Sequence, residues 1–405
     1  MTVALAIVLA ALAQEAGSLG AVSRLVDRAA TAREEVEAAA ARMPAGFHRT
    51  VLQEELKSRP TTLKRVSFDL KEQAAAGVFN EIASKFGEKL DAQHLQRGGP
   101  GGAFLAIAGL KLENASFMEA LDAACRQAKV GVFTNGVQLS LNPWQENLAS
   151  SPYRNYLVTL HTATRSRVIE FGAGETRAVV LSLNLFWDSD GGVVRVGKVR
   201  LAEAIDDQGR PVAGKPEEPA PAQPERKEGD PVVHWIVRWS QQSMALQVPD
   251  AAKLSRLRGF YEVRMPQATR EFELGDLEKG SAKSDEHYEV QATRKKEYGP
   301  GGVLLRVKPK GPLEEYLKAP VEIFGSGEAL QEAPVRDGGT ATVRGRAEVM
   351  VYAQGRVVDG AVEYRLTAPG VPANTHPEFK SLRVRIHRAT VERLIPFEFT
   401  DVPIR

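Results

Sequence analysis

Lys64-Arg65-Val66-Ser67-Phe68-Asp69-Leu70 opens the stretch, residues 64–141, on which the fold turns. Val66, Phe68 and Leu70 alternate with polar residues, the period of a strand buried on one face. Ala76, Val78, Phe79, Ile82, Ala83 and Phe86 follow at the three- and four-residue spacing of one helix face, and Gly87 supplies a left-handed stop. Lys89-Leu90-Asp91-Ala92 is then short enough for a second strand. The pattern returns 42 residues later, with Leu110 and Leu112 where Phe68 and Leu70 stood. Met118, Ala120, Leu121, Ala124, Cys125 and Ala128 repeat the helix stripe, and Val132 replaces Leu90. Ser116 followed by Glu119 predicts a capping box at the start of the second helix. A last strand, Val137–Leu141, is expected beyond a turn at Asn135-Gly136.

Each copy has one apolar helix stripe and one apolar strand face. Neither can bury them alone, so two copies packed together predict one two-layer double βαβ domain over 61–143. The linker Gln96–Gly102 is glycine-rich and reads as a surface loop, because a strand follows it where a phosphate cradle needs a helix N-terminus.

The quoted pattern resembles a known family. The strand V-x-F-x-L, the helix carrying V-F-x-x-I-A and the second copy L-K-L-E-N-x-x-F-M-E-A-L-D-A-x-C are similar to the short N-terminal repeat module of secretins and TonB-dependent receptors. The resemblance covers Val66–Leu141, about a fifth of the chain. It implies a periplasmic module that makes protein–protein contacts and carries no catalytic residue. Beyond it the chain continues as exported multi-domain bacterial proteins do, with neither a membrane barrel nor a secretin ring domain.

On the N-terminal side, residues 3–13 form an unbroken apolar run ending Ala11-Leu12-Ala13. It is too short to span a bilayer and matches the small-residue cleavage pattern of a secretory signal, although no basic residue precedes Arg24. A signal peptide at 1–13 and a periplasmic or extracellular location are therefore expected. Residues 14–60 read as a helical arm: Leu19, Val22, Leu25 and Val26 share a face, Arg33–Arg42 is rich in helix formers, and Pro44-Ala45-Gly46 interrupts it.

After Pro143 the apolar segments become short and alternating. Tyr156–Thr164, Arg177–Trp187, Val193–Leu201, Val232–Trp239, Gly259–Met265, His287–Thr293, Val303–Val307, Thr342–Tyr352, Ala361–Leu366 and Ser381–His387 read as strands. Asp190-Gly191, Asp337-Gly338 and Asp359-Gly360 read as turns between them. These predict two mostly antiparallel β-sandwiches, 150–250 and 251–405. Pro211–Pro231, with six prolines, is expected as a loop inside the first, and Ala251–Arg258 as a short helical connector. The fold class expected for the whole chain is α+β.

Chemistry is sparse. The 53 basic and 51 acidic residues nearly cancel, so nothing draws the chain toward nucleic acid or an anionic membrane. Cys125 stands alone, which excludes an internal disulfide and reads as a small core residue. No protease, thiol-redox, nucleophile-elbow or phosphate-loop motif occurs. The histidines at 48, 94, 161, 234, 287, 376 and 387 are dispersed. Asp188-Ser189-Asp190-Gly191-Gly192 opens like a calcium loop, but its twelfth position is Val199, so it reads as a turn, as does Asp206-Asp207-Gln208-Gly209. Trp187, Trp235 and Trp239 are candidates for a buried sheet face or a sugar platform. Arg383, Arg385 and His387 alternate with Leu382, Val384 and Ile386 as a basic stripe on a solvated face. No catalytic, cofactor-binding or metal-ligating residue is assigned. The expectation is a non-enzymatic exported modular protein with an envelope protein as partner; the alternative is a carbohydrate-binding or carbohydrate-active envelope protein.

Overall fold

A computed structural model describes residues 17–57, 62–92, 95, 105–134, 139–143, 147–170, 174–214, 231–234, 239–247, 251–295, 297, 302–334, 340–367 and 378–405. The apolar run at 3–13, the loop 96–102, Asn135-Gly136, Trp235, His94, His376, Asp337-Gly338 and the 215–230 part of the proline-rich segment lie outside the described residues. The fold class is α+β, as expected: among the described residues, three N-terminal helices, a mixed module, then antiparallel sheets. No helix among the described residues is long and apolar enough to cross a membrane.

The chain divides into two compact units. Unit 1 holds 1–218, 237–264 and 392–405; unit 2 holds 219–236 and 265–391. These limits differ from the boundaries expected at 143 and 250, for reasons visible in the individual elements.

Unit 1 begins with α1 (Leu19–Ala29), α2 (Arg33–Arg42) and α3 (Phe47–Leu56). Ser18 caps α1 by accepting from Ala21 N at 3.3 Å. The sequence showed the break at Pro44–Gly46 and missed the one after Ala29, where Thr31 Oγ1 and the backbone N–H groups of Thr31 and Ala32 all donate to the Arg28 carbonyl. Leu19, Val22, Leu25 and Val26 of α1, Val36 of α2, and Val51, Leu52 and Leu56 of α3 bury together with Tyr153 and Phe260. The arm is part of a core, because its apolar stripe has a sheet to cover.

The double unit follows as β1 (Val66–Ala74), α4 (Ala75–Phe86), β2 (Leu90–Asp91), β3 (Ala106–Ala115), α5 (Phe117–Ala128), β4 (Gly131–Thr134) and β5 (Leu139–Asn142). Gly87 ends α4 at φ 78°, and Ser116 and Glu119 form the expected capping box on α5. The middles of the helix stripes bury completely, Val78, Phe79 and Ile82 at 0 % exposure and Met118, Leu121 and Ala124 likewise, while Ala76 and Phe86 are half-buried at the ends of the first. Each such large apolar side chain contributes about 1.5–3 kcal/mol by leaving water. The strands pair differently from a simple βαβ. The first strands of the two copies pair with each other, antiparallel, Leu70 opposite Leu110. The second strands form another sheet, ordered β2-β5-β4, with β2 and β5 parallel. Strand, helix, strand therefore recurs in each copy, with the copies exchanging strand partners.

The rest of unit 1 is antiparallel sheet. It comprises β6 (Ala149–Tyr153), β7 (Tyr156–Glu170), β8 (Gly174–Trp187), β9 (Arg195–Asp206), β10 (Ala213–Gly214), and, after β11 (Pro231–His234) of unit 2, β12 (Trp239–Gln247). Five strands run in the order β10-β12-β8-β7-β6. β8 is buried on both faces, which explains why no boundary falls at Pro143. Leu181, Leu183 and Leu185 are 0 % exposed on one face, while Phe186 and Leu157 on the other join the core of the double unit. The expected strand Val232–Trp239 is two strands: Val232–His234 pairs with unit 2 and Trp239 begins β12 in unit 1. Of the ends of the proline-rich segment, Ala213–Gly214 lies in unit 1 and Pro231–His234 in unit 2.

β13 (Lys253–Leu274) replaces the helical connector expected at 251–258. Leu254 and Leu257 are three apart, the spacing of a helix face; a bulge between Leu254 and Arg256 inserts the extra residue that keeps both buried on a strand. The first part of β13, 253–264, pairs with β9 in unit 1 and its remainder, 265–274, lies in unit 2. The chain's last strand, running Glu378–Pro403, is divided likewise at 391/392, so Phe397–Val402 closes unit 1 and not the second sandwich. At Gly259 an added Cβ would lie 2.5 Å from both the Arg200 carbonyl oxygen and the Phe397 ring. Gly259→Ala is therefore expected to cost about 1–3 kcal/mol in urea unfolding. A change indistinguishable from zero would show that β9 and Phe397 do not approach that closely.

Unit 2 is the second sandwich. β14 (Ser281–Ser284), β15 (Tyr288–Arg294), β16 (Val303–Pro309), α6 (Leu313–Lys318), β17 (Val321–Pro334), β18 (Thr340–Met350), β19 (Tyr352–Val358), β20 (Ala361–Thr367) and the 378–391 part of β21 (Glu378–Pro403) follow in order. One sheet runs β11-β19-β20-β16-β15-β14; β17 pairs with both β18 and β21 in the other. Val290, Leu305 and Tyr364 of the first meet Ile323, Leu382 and Val384 of the second in one core. Asp359 and Gly360, at φ 50° and 69°, make the expected two-residue hairpin turn, with Val358 opposite Ala361.

Candidate binding cleft and open strand edges

Within unit 1 two sheet faces oppose one another across a polar layer. Alternation along β5 sends Leu139 and Leu141 into the apolar core and turns Ser140 and Asn142 the other way. Their antiparallel partners on β4 are Phe133 and Gly131. On the five-stranded sheet, Asn184 and Phe186 alternate with the buried leucines of β8, and Trp239 and Gln241 of β12 stand opposite Phe186 and Asn184. A register shift at Leu160/Thr162 leaves His161 as the extra residue of β7. These residues, with Val132, Thr134 and Asn147, line a cleft of about 190 Å³.

The polar atoms behind the cleft are incompletely satisfied. Ser140 Oγ, Thr159 Oγ1 and Asn184 Oδ1 are buried and have no hydrogen-bond partner among the described residues. Thr159 and Asn184 are direct cross-strand neighbours. A buried polar group left unpaired costs about 1–3 kcal/mol, so an apolar layer here would be the more stable choice. Gln241 is better placed, donating from Nε2 to Ser182 Oγ at 2.7 Å. Among the described residues no Asp, Glu, Lys or Arg side chain lines the cleft.

The second candidate is an edge. β1 and β3 form a two-stranded sheet, and neither has another strand partner among the described residues. One face of the pair is held down by Phe68 and Leu110 in the core of the double unit, and Ile107, of the opposite parity, buries the end of the other face next to α4. The other exposes Asp69, Lys71, Lys111 and Glu113. Open backbone donors and acceptors along such a ribbon are the template for strand addition.

Other residues singled out from sequence fall in less eventful places. Trp187 is 4 % exposed and belongs to a buried face; Trp239 is half-buried at the cleft. Asp206 closes its turn by accepting from Gln208 N and Arg210 N at 2.9 and 2.8 Å. Desolvation would raise its carboxyl, but those N–H groups and the Arg210 guanidinium outweigh it and hold it below the ordinary range. Asp188, in contrast, is buried and its carboxyl is pushed up to about 7, mainly by desolvation. Among the described residues no group of three His, Cys, Asp or Glu side chains could hold a metal. The basic stripe is not a solvated face. Arg383 and Arg385 lie over the Phe324 ring at 4.9 and 5.4 Å, Arg385 pairs with Glu271 at 2.6 Å, and His387 is 4 % exposed with Thr269 Oγ1 2.8 Å from its Nδ1.

Cys125 occupies the helix core at 5 % exposure, and burial, reinforced by Asp122, pushes its thiol well up. The reactive thiolate is therefore scarce. Native-state labelling by a maleimide is expected to be slow and to accelerate sharply in denaturant; fast stoichiometric labelling of the native chain would contradict the burial of α5. Asp122 itself departs from the outward position its spacing suggests: it is 4 % exposed and paired with Arg126.

Sequence reasoning singled out Trp239 of the cleft and passed over Asn142, Asn184 and Gln241. The available signal was Leu-Asn-Leu-Phe at 183–186, a polar residue between leucines on a strand long enough to be buried on both faces.

No family model and no curated protein matches the chain. A solved structure with partial likeness is the C-terminal globular domain of an oligosaccharyltransferase from Pyrococcus abyssi, at 8 % identity and a TM-score of 0.17. The match covers 73 % of this chain and 56 % of that one, so this chain spans about half of the neighbour's length. At that TM-score the likeness carries no argument.

Proposed function

We infer that the chain is an exported, non-enzymatic binding protein of the bacterial cell envelope, and that it works by receiving an extended segment of another envelope protein on the ribbon β1–β3. The observation that carries this reading is the two-stranded sheet with both outer edges open among the described residues. Backbone hydrogen bonds along either edge would supply affinity, and alternate side chains of the added strand would meet Asp69 and Lys71 or Lys111 and Glu113. The resemblance of Val66–Leu141 to the repeat module of secretins and TonB-dependent receptors supports the same kind of contact. The apolar run at 3–13, read as a secretory signal, supports a partner in the envelope.

The test is capture of partners by the full mature chain from envelope extract, followed by hydrogen exchange on each reconstituted pair. Slowed exchange confined to amides of β1 or β3 is the expected result. Protection elsewhere, with these amides unchanged, would refute strand addition. N-terminal sequencing from the native host should begin at Gln14, and a product starting at Met1 would remove the envelope from the reading. No turnover is expected on glycosidic, ester or peptide substrates.

A further inference from the structure

We propose that the polar cleft of unit 1 is a binding site for one neutral pyranose ring, stacked on Trp239 and hydrogen-bonded by Asn184, Gln241, Asn142 and His161. This site is separate from the β1–β3 edges and stands whether or not strand addition occurs there.

Size sets the first limit. A drug-sized ligand occupies a pocket of about 300 Å³ or more. The cleft, at about 190 Å³, accepts one ring with its substituents and no extended chain. Charge sets the second. Among the described residues no Asp, Glu, Lys or Arg side chain lines the cleft. A phosphate, carboxylate or ammonium brought into it would lose water and find no counter-ion among them. The ligand is therefore neutral.

The mixture of groups sets the third. Trp239 and Phe133 bring aromatic rings to the lining, which suit a ligand with a flat apolar side. Asparagine and glutamine amides offer a donor and an acceptor side by side, which suits hydroxyls that both give and receive. A purely apolar ligand would leave those amides unpaired, and a linear polyol would leave the indole uncovered. A pyranose carries C–H groups on its faces and hydroxyls around its rim, and matches both.

The unpaired atoms point the same way. Asn184 is 8 % exposed, forms part of the cleft lining, and its Oδ1 has no partner among the described residues. Thr159 Oγ1 beside it and Ser140 Oγ on the opposing sheet are in the same condition. Of the three, Asn184 lines the cleft itself, where a ligand hydroxyl can reach it. No carboxylate lines the cleft among the described residues, and glycosidic cleavage needs a carboxyl pair, so the proposal is for holding the ring and not for hydrolysing it.

The experiment is calorimetric titration of the full mature chain with glucose, galactose, mannose and N-acetylglucosamine, with a sugar phosphate as the charged control. At least one neutral sugar should saturate with a Kd on the order of 1 mM, and the phosphate should bind at least tenfold more weakly. Trp239→Ala and Asn184→Leu should each weaken binding about tenfold. Asn184→Leu should leave the unfolding midpoint unchanged or raised, since it removes an unpaired buried polar group. Gln241→Ala, at an exposed position, supplies a second reading should Trp239→Ala fail to fold. Failure of all four sugars to saturate overturns the proposal. So does saturable binding that ignores every substitution, and so does a lowered midpoint for Asn184→Leu without sugar binding, which would assign the amide to ordered water.

Discussion

Replacing Arg65 by methionine should destabilise the protein by about 3–5 kcal/mol, the usual cost of removing one partner from a buried ion pair. Arg65 is the last residue before β1, and its side chain is 6 % exposed. Its Nε donates to Asp27 Oδ2 at 2.6 Å, its Nη1 to Glu119 Oε2 at 2.7 Å and its Nη2 to Ser23 Oγ at 2.7 Å. Asp27 also takes a bond from Arg154 Nη1 at 2.8 Å, and Arg154 is 7 % exposed. One guanidinium thus joins α1 to the N-terminus of α5, and a second joins α1 to the turn between β6 and β7. Methionine would fill the volume of the stem and leave Glu119 and half of Asp27 desolvated without a counter-charge. Glu119 would still bond the Ser116 N–H, at 2.7 Å, so the capping box should survive and α5 should not unravel. Urea unfolding at neutral pH measures the loss. A loss below about 1 kcal/mol would mean that the network behaves as an exposed surface pair does. A double-mutant cycle with Glu119→Gln should be strongly non-additive, since both changes break one contact.

That network marks where the sequence stopped being informative. The capping box at Ser116 and Glu119 was readable because its two members are three residues apart and face the same helix end. The contact of Glu119 with Arg65 spans 54 positions, and no local period announces it. The same contrast holds at larger scale. The recurring strand–helix pattern predicted each element of the double unit, since burial on one face imposes a period. Which strands become neighbours is decided by how two copies close on each other, and there the exchange of partners between copies was invisible. Alternation also located most strands of both sandwiches. It failed at 251–258, where a bulge gave a strand the spacing of a helix, and at 232–239, where one apolar run serves two units. For the cleft, the asparagine among leucines in β8 was on the page, but a polar residue in an alternating strand ordinarily faces water. Only the double burial of β8 turns Asn184 into a feature that needs a reason.

Asp188→Asn should make the protein more stable than the parent at pH 8 and remove a decline in stability between about pH 4 and 7. The side chain closes the turn after β8. It receives Asn155 Nδ2 at 2.9 and 3.0 Å and Asp190 N at 3.1 Å, and it is 6 % exposed. Desolvation is the largest influence on its carboxyl; the bond from Asn155 works against it, and the nearby charges of Glu88 and Asp190 work with it, leaving the group at about 7 against 3.8 when unfolded. The sign follows from proton counting. Between these two values the folded chain holds a proton that the unfolded chain has released, so raising the pH favours unfolding. Below about 4 both states are protonated and above about 7 both are ionised, and the slope vanishes at each end. The full penalty for ionising Asp188 is on the order of 4 kcal/mol, at 1.36 kcal/mol for each unit of displacement. Asparagine cannot ionise. It keeps an oxygen for Asp190 N, and Asn155 can turn its own amide to meet the new one. The gain at pH 8 should be smaller than the full penalty, about 1–3 kcal/mol, because the carboxylate's stronger bonds are lost as well. Urea midpoints for both proteins at pH 5 and pH 8 decide the matter. The variant's advantage should be present at pH 8 and small or reversed at pH 5, and an advantage equal at both would show that Asp188 is ionised throughout and that its turn is open to water.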